Sequence, residues 1–180
     1  NEAVAGIGIP KKVDMMSFAV STGMSQGVLP LIGYNFSAKN YKRMMASVRT
    51  SFLYSLLVAP ASAVLLFTCA GPIVQAFIDD AETVRYGQLF QRIICITGPC
   101  IAVTMTIITI FQSVGKKVQP MLLSLLRKGG LDIPFMFLMN ALAGINGIVW
   151  ATPIADFGAM LVSLALFVPF WKGMARLRRP

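Results

Sequence analysis

The sequence predicts an all-α membrane protein with five transmembrane helices, and three observations carry that prediction. Hydrophobic residues make up 56% of the chain and charged residues 13%, against roughly 45–50% and about 25% in a soluble domain. Uncharged runs long enough to span a bilayer recur along the chain, and the loops between them alternate in charge. With a mean hydropathy of +0.72, the composition suits hydrocarbon rather than water.

The first span is 15–38, 24 residues without a charge, enough to cross a hydrocarbon core of about 30 Å. The residues before it are small, Gly-rich and too few to span, and Lys11, Lys12 and Asp14 mark a polar boundary. Gly23, Gly27, Gly33 and Pro30 would weaken a soluble helix. In a membrane, small residues let helices approach and a proline bend is tolerated. Ser17, Ser21 and Ser25, at i, i+4 and i+8, read as a packing seam. A loop at 39–49 carries Lys39, Lys42, Arg43 and Arg49 and no acid.

The second uncharged run, 50–78, is longer than a span needs, and Gly71-Pro72 is expected to break it, giving a span of 50–72. Asp79, Asp80, Glu82 and Arg85 then form an acidic loop. The third span, 93–115, has Gly98-Pro99 as a bend near its start and is closed by Lys116-Lys117, the loop 116–117. The fourth, 118–142, is the weakest signal, because Arg127, Lys128 and Asp132 interrupt it and Gly129-Gly130 lower its helix propensity. Residues 143–147 form a tight turn. The fifth span, 148–171, contains Pro153 and Asp156 and ends in the basic tail 172–180.

Loop charge sets the orientation. One side holds Lys39, Lys42, Arg43, Arg49, Lys116, Lys117, Lys172, Arg176, Arg178 and Arg179, ten basic residues and no acid. The other side holds the acidic loop and the near-neutral turn. This is the positive-inside pattern, and it places the C-terminus in the cytoplasm. Trp150 and Trp171, near the two ends of the fifth span, fit interfacial anchors.

Composition also excludes functions. A net charge of +9 would suggest nucleic acid in a soluble protein, but these basic residues sit in short clusters between apolar runs, so no nucleic-acid partner is expected. The chain has no His, which removes imidazole catalysis and His-ligated metal sites. No cluster of acids or cysteines stands at reactive spacing, so an enzyme, a metal centre and a cofactor are not expected. Cys69, Cys95 and Cys100 lie within apolar runs and read as packing residues. The first residue is Asn1 rather than Met, and the chain is expected to begin partway through a larger protein.

Three stretches together resemble the multidrug and toxin extrusion (MATE) family of secondary transporters. The first is Gly23 and Gly27, then Pro30-Leu31-Ile32-Gly33-Tyr34-Asn35, then Ala38-Lys39-Asn40 leading to Lys42-Arg43; Ser37 stands where the family usually has Gly. The second is Gln112-Ser113-Val114-Gly115-Lys116 with Pro120, Ser124 and Arg127. The third is Gly144-Ile145-Asn146-Gly147-Ile148-Val149-Trp150-Ala151-Thr152-Pro153 with Ile154-Ala155-Asp156. The resemblance covers nearly the whole chain. It implies a bacterial plasma-membrane protein of twelve helices in two six-helix lobes. The five spans correspond to the last five of these, most of the C-terminal lobe, whose partner would be the missing N-terminal lobe. It further implies an antiporter in which protons or sodium drive export of amphipathic, often cationic, compounds by alternating access. The family's coupling acids lie mainly in the other lobe, and the third span here has none, so that role does not carry over.

Acids inside a membrane are costly and are functional candidates. Counted from the turn, Asp132 and Asp156 lie at similar depth, so either could bind a cationic substrate or the coupling ion. Against that, Lys128 stands at i, i+4 to Asp132 and can neutralise it, Arg127 can reach the cytoplasmic interface, and Asp156 has no local partner. Gln26, Gln112 and Asn140 are further candidates for substrate contact, or for hydrogen bonds between helices. Gly23, Gly27, Pro30, Gly33, Pro99 and Pro153 are candidates for packing or gating. Two other readings are a lipid-linked saccharide flippase of the same superfamily, with only Arg92, Arg127 and Lys128 to hold pyrophosphate, and a structural membrane subunit without transport.

Overall fold

A computed structural model describes residues 2–76 and 81–177, and every regular element among them is helical. Helix α1 runs Glu2–Ser37, α2 Tyr41–Thr68, α3 Ala70–Gln75, α4 Ala81–Cys95, α5 Gly98–Ser113 and α6 Val118–Leu125. A π-helical segment, Leu126–Asp132, then leads into α7, Ile133–Leu177.

Helix boundaries depart from the charge boundaries in a consistent direction. α1 continues through Lys11, Lys12 and Asp14 to Glu2, where the sequence suggests an end near 15. α2 starts at Tyr41, so Lys42, Arg43 and Arg49 lie within a helix and not in a loop. α4 takes in Glu82 and Arg85, which were expected in the acidic loop; Asp79 and Asp80 lie outside the described residues. α7 runs past Lys172 and Arg176 to Leu177. The reason is common to all four. Charge marks where hydrocarbon ends, but Lys, Arg and Glu are good helix formers and do not end a helix.

The connection between α1 and α2 shrinks to a short turn, with Lys39 at φ 56° and Asn40 accepting a hydrogen bond from the Arg43 amide at 3.2 Å, as a helix N-cap does. The break after α2 falls at Cys69, and Gly71 and Pro72 sit in the first turn of α3, where a proline loses no helical hydrogen bond. α4 and α5 meet at 43°, with Pro99 at the start of α5.

α7 is two arms. Gly144 takes φ 59° and ψ −140° and reverses the chain. The arms 133–143 and Gly147–Leu177 then run antiparallel, as cross-contacts show: Gly147 meets the Met139 carbonyl and Gly158 meets Leu131, and Thr152 bonds Asp132. The lobe is therefore five rods: α1, α2 with α3, the bent α4–α5, the rod from α6 through the first arm, and the second arm.

α5 is the central rod, with ten of its sixteen residues buried. Ile107, Ile110 and Phe111 pack with Ile32 of α1, Met44 and Val48 of α2, and Phe167 of the second arm. Phe111, Phe167, Phe170 and Trp171 add a chain of tilted and edge-on ring contacts at 5.4–6.2 Å. Tyr41–Thr68 and Gly147–Leu177 are each long and apolar enough to cross a membrane, and the bent α4–α5 pair qualifies as one further span. Large apolar side chains such as Leu57, Val64, Leu65, Phe137 and Leu142 point outward, each 59–74% exposed. These side chains give the lobe an apolar outer surface.

Candidate functional site

A charge among apolar helices must be neutralised or hydrogen-bonded, so the buried ionisable side chains locate the site. Arg127 donates from Nε to Asp156 Oδ1 at 2.6 Å, and both side chains are only 3% exposed. The guanidinium also lies over the Phe18 ring of α1, 5.2 Å from its centroid, within cation–π range. The pair thus joins the fourth rod, the fifth and α1. Asp156 Oδ2 is buried without a hydrogen-bond partner, as is Oγ1 of Thr22, one helical turn from Phe18.

Local structure explains the meeting. The residues that weaken the helical signal, Gly129 and Gly130, lie in the π-helical segment, whose extra residue per turn re-aims the side chains around it. There Arg127 faces inward while Lys128, 58% exposed, faces outward. On the opposite arm Gly158 stands two residues from Asp156, and a Cβ there would lie 3.3 Å from Leu131. A small residue at that point keeps the arms close enough for the ion pair.

One expectation is corrected: Arg127 is buried and does not reach the interface, because the hairpin brings it to Asp156, which has no local partner but gains one 29 residues away in sequence. The Lys128–Asp132 pairing is present, but at 3.8 Å it is long. Asp132 also accepts a 3.4 Å hydrogen bond from Thr152. That places Asp132 opposite Thr152, about one turn, or ~6 Å, from Asp156 along the arm.

The other candidates do not gather at this pair. Gln26 is exposed on α1 and Asn140 is exposed on the first arm. Gln112, also exposed, lines a separate cavity of about 410 Å³ with Lys116, Lys117 and Ser124. Gly33 is a contact position: a Cβ would lie 3.0 Å from the Ser113 carbonyl oxygen. Gly23 and Gly27 are not, because nothing described comes within 4 Å of a Cβ built there. Pro30 is exposed on α1, Pro99 opens α5 at the bend, and Pro153 lies half-buried inside the second arm.

Arg127 is the residue that sequence reasoning misplaced. Its signal was an arginine and an aspartate of opposite charge on facing arms of one hairpin. A second polar junction links α1, α2 and α5. Ser25 Oγ lies 3.5 Å and Ser55 Oγ 2.9 Å from Thr106 Oγ1. Of the expected serine seam, Ser25 is buried at this junction and Ser21 offers it a carbonyl; the side chain of Ser17 lies outside the described residues.

The MatE family model matches residues 1–138. The multidrug export protein MepA of Staphylococcus aureus (strain MSSA476) is 25% identical over 166 residues, which is 92% of this chain and 36% of MepA. MepA of Staphylococcus haemolyticus is 24% identical over 170 residues, 94% of this chain and 37% of its own length. Among solved structures, the Vibrio cholerae MATE transporter VcmN in its bent form superposes with a TM-score of 0.82 at 18% identity, over 99% of this chain and 39% of VcmN. The chain spans a little over a third of the length of the curated relatives it matches.

Proposed function

Because the chain belongs to the MatE family, we propose that it forms most of the C-terminal lobe of an antiporter that exports amphipathic, cationic compounds against a proton or sodium gradient. The observation that carries this reading is the agreement of two likenesses, of sequence to a multidrug export protein over 92% of the chain and of fold to a MATE transporter over 99% of it. The remaining length of such relatives would supply the facing lobe, and substrate would pass between the two as they rock.

Within this reading Asp156 is a positioning group. Its charge is spent on Arg127, so the site carries no net negative charge with which to hold a cation. The pair ties the last hairpin to α1, letting the lobe move as one body. The same neutralisation speaks against the flippase reading. Arg127 is held by Asp156, Lys128 lies near Asp132, and Arg92 lies over the Phe67 ring at 5.3 Å, so these three engage separate partners instead of converging on a pyrophosphate.

The test is efflux of a fluorescent lipophilic cation from cells expressing the full-length protein. Efflux that stops with an uncoupler indicates proton coupling; efflux that stops only when sodium is replaced indicates sodium. No efflux under either gradient, at normal expression, overturns the proposal.

A further inference from the structure

A second feature, which shares no lining residue with the ion pair, is a groove between α1 and α2. It encloses about 380 Å³ and is lined on α2 by Arg43, Ser47, Ser51 and Ser55 and on α1 by Ser25 and Val28. The α2 residues recur every four positions, so they form one stripe along the helix. From Arg43 to Ser55 the stripe covers about 18 Å, close to the depth of one leaflet of a hydrocarbon core about 30 Å thick.

The serines make this stripe less polar than it reads. Ser47 donates to the Arg43 carbonyl, Ser51 to the Ser47 carbonyl and Ser25 to the Ser21 carbonyl. Thr106 donates to the Ala102 carbonyl, so in the 2.9 Å contact with Ser55 it is Ser55 that donates. Each buried serine of the groove thus spends its only hydrogen on the protein, and the other hydroxyls of the lining, Thr50 and Tyr54, belong to exposed residues. Between these hydroxyls the wall is apolar, formed by Met24, Val28, Leu31 and Ala46, which suits a hydrocarbon chain.

Its mouth is cationic. Arg43 is exposed and makes no ion pair with any described residue. Lys39, Lys42 and Arg49 are its sequence neighbours, and no acid occurs anywhere from 15 to 78. A cationic amphiphile is repelled at that mouth, whereas an anionic headgroup is attracted.

We propose that this groove holds one acyl chain of an anionic phospholipid, with its phosphate on Arg43. The inference needs the lobe to be in a bilayer but does not need it to transport, so its failure and that of the proposed function are separable.

Native mass spectrometry of the full-length protein, released from vesicles of equal phosphatidylglycerol and phosphatidylcholine, tests it. The expected result is one retained phosphatidylglycerol and no preference for phosphatidylcholine. Arg43→Gln is expected to weaken retention about fivefold, Arg43→Lys to keep it, and Ser47→Leu, which fills the slot, to abolish it. Equal retention of both lipids, or unchanged retention in Arg43→Gln, overturns the proposal. So does an absence of retained lipid together with protection of Ser47→Cys from a lipid-phase thiol reagent, which would show that another helix covers the groove.

Discussion

A guanidinium that is 3% exposed among apolar helices is tolerable only with a carboxylate against it, and Asp156 supplies one at 2.6 Å. Removing either partner leaves the other charged and dry, at a cost of about 3–5 kcal/mol, whereas replacing both with apolar groups of similar volume is often neutral. Thermal unfolding of the full-length protein in detergent should therefore show large losses for Arg127→Met and for Asp156→Asn. The pair of substitutions Arg127→Met with Asp156→Leu should recover most of the loss. Additive losses in the double variant would mean that the two side chains do not act as a unit. Half of this site was legible in the sequence. An aspartate in an uncharged run announces itself, since apolar neighbours offer it nothing. Its partner was not legible, because Arg127 sits close enough to a run boundary to pass for an interfacial residue. What turns it inward is a π-helical segment, a backbone adjustment that hydropathy does not record.

At the scale of elements, the sequence resolved rods better than ends. Hydropathy located the bend at Gly98-Pro99 and the reversal at 143–147, because proline and glycine act on the backbone directly. It shortened α1, α2 and α4, because charges stop a membrane span without stopping a helix. Glycine spacing was less informative, since the same small residue marks a contact at one position and an open face at another. Gly147 is the most constrained, with a Cβ driven into the Met139 carbonyl, and Gly33 comes next. Gly147→Ala forces the hairpin arms apart and should cost at least about 1–3 kcal/mol, as overpacking does. Gly33→Ala should cost less, because Ser113 needs to yield only slightly. Gly23→Ala and Gly27→Ala should change the melting temperature little, within about 0.5 kcal/mol. Should either of these destabilise the full-length protein as much as Gly147→Ala, its open face is covered there by residues beyond those described, and the contact map of α1 has to be redrawn.

At the scale of the molecule, the described helices pack as one lobe, and the transport proposed for the protein needs a surface facing it. Its buried core runs along α5 and is closed by aromatic contacts to the second arm, while the one buried ion pair among the described residues is internal and neutral. Gln26, Gln112 and Asn140, the uncharged candidates for substrate contact, are exposed on three separate elements. A passage that alternates between two sides of a membrane needs a facing surface against which such residues can close, and the lobe matches only 39% of a MATE transporter structure. The 180-residue chain alone, reconstituted in vesicles, is therefore expected to insert but not to accumulate a fluorescent cation under an imposed proton or sodium gradient. Full-length protein in the same vesicles is expected to do so under one of the two. Gradient-driven uptake by the 180-residue chain would move the transport path into a single lobe. The groove beside Arg43 and the Gln112–Lys116 cavity would then be the first places to look for it.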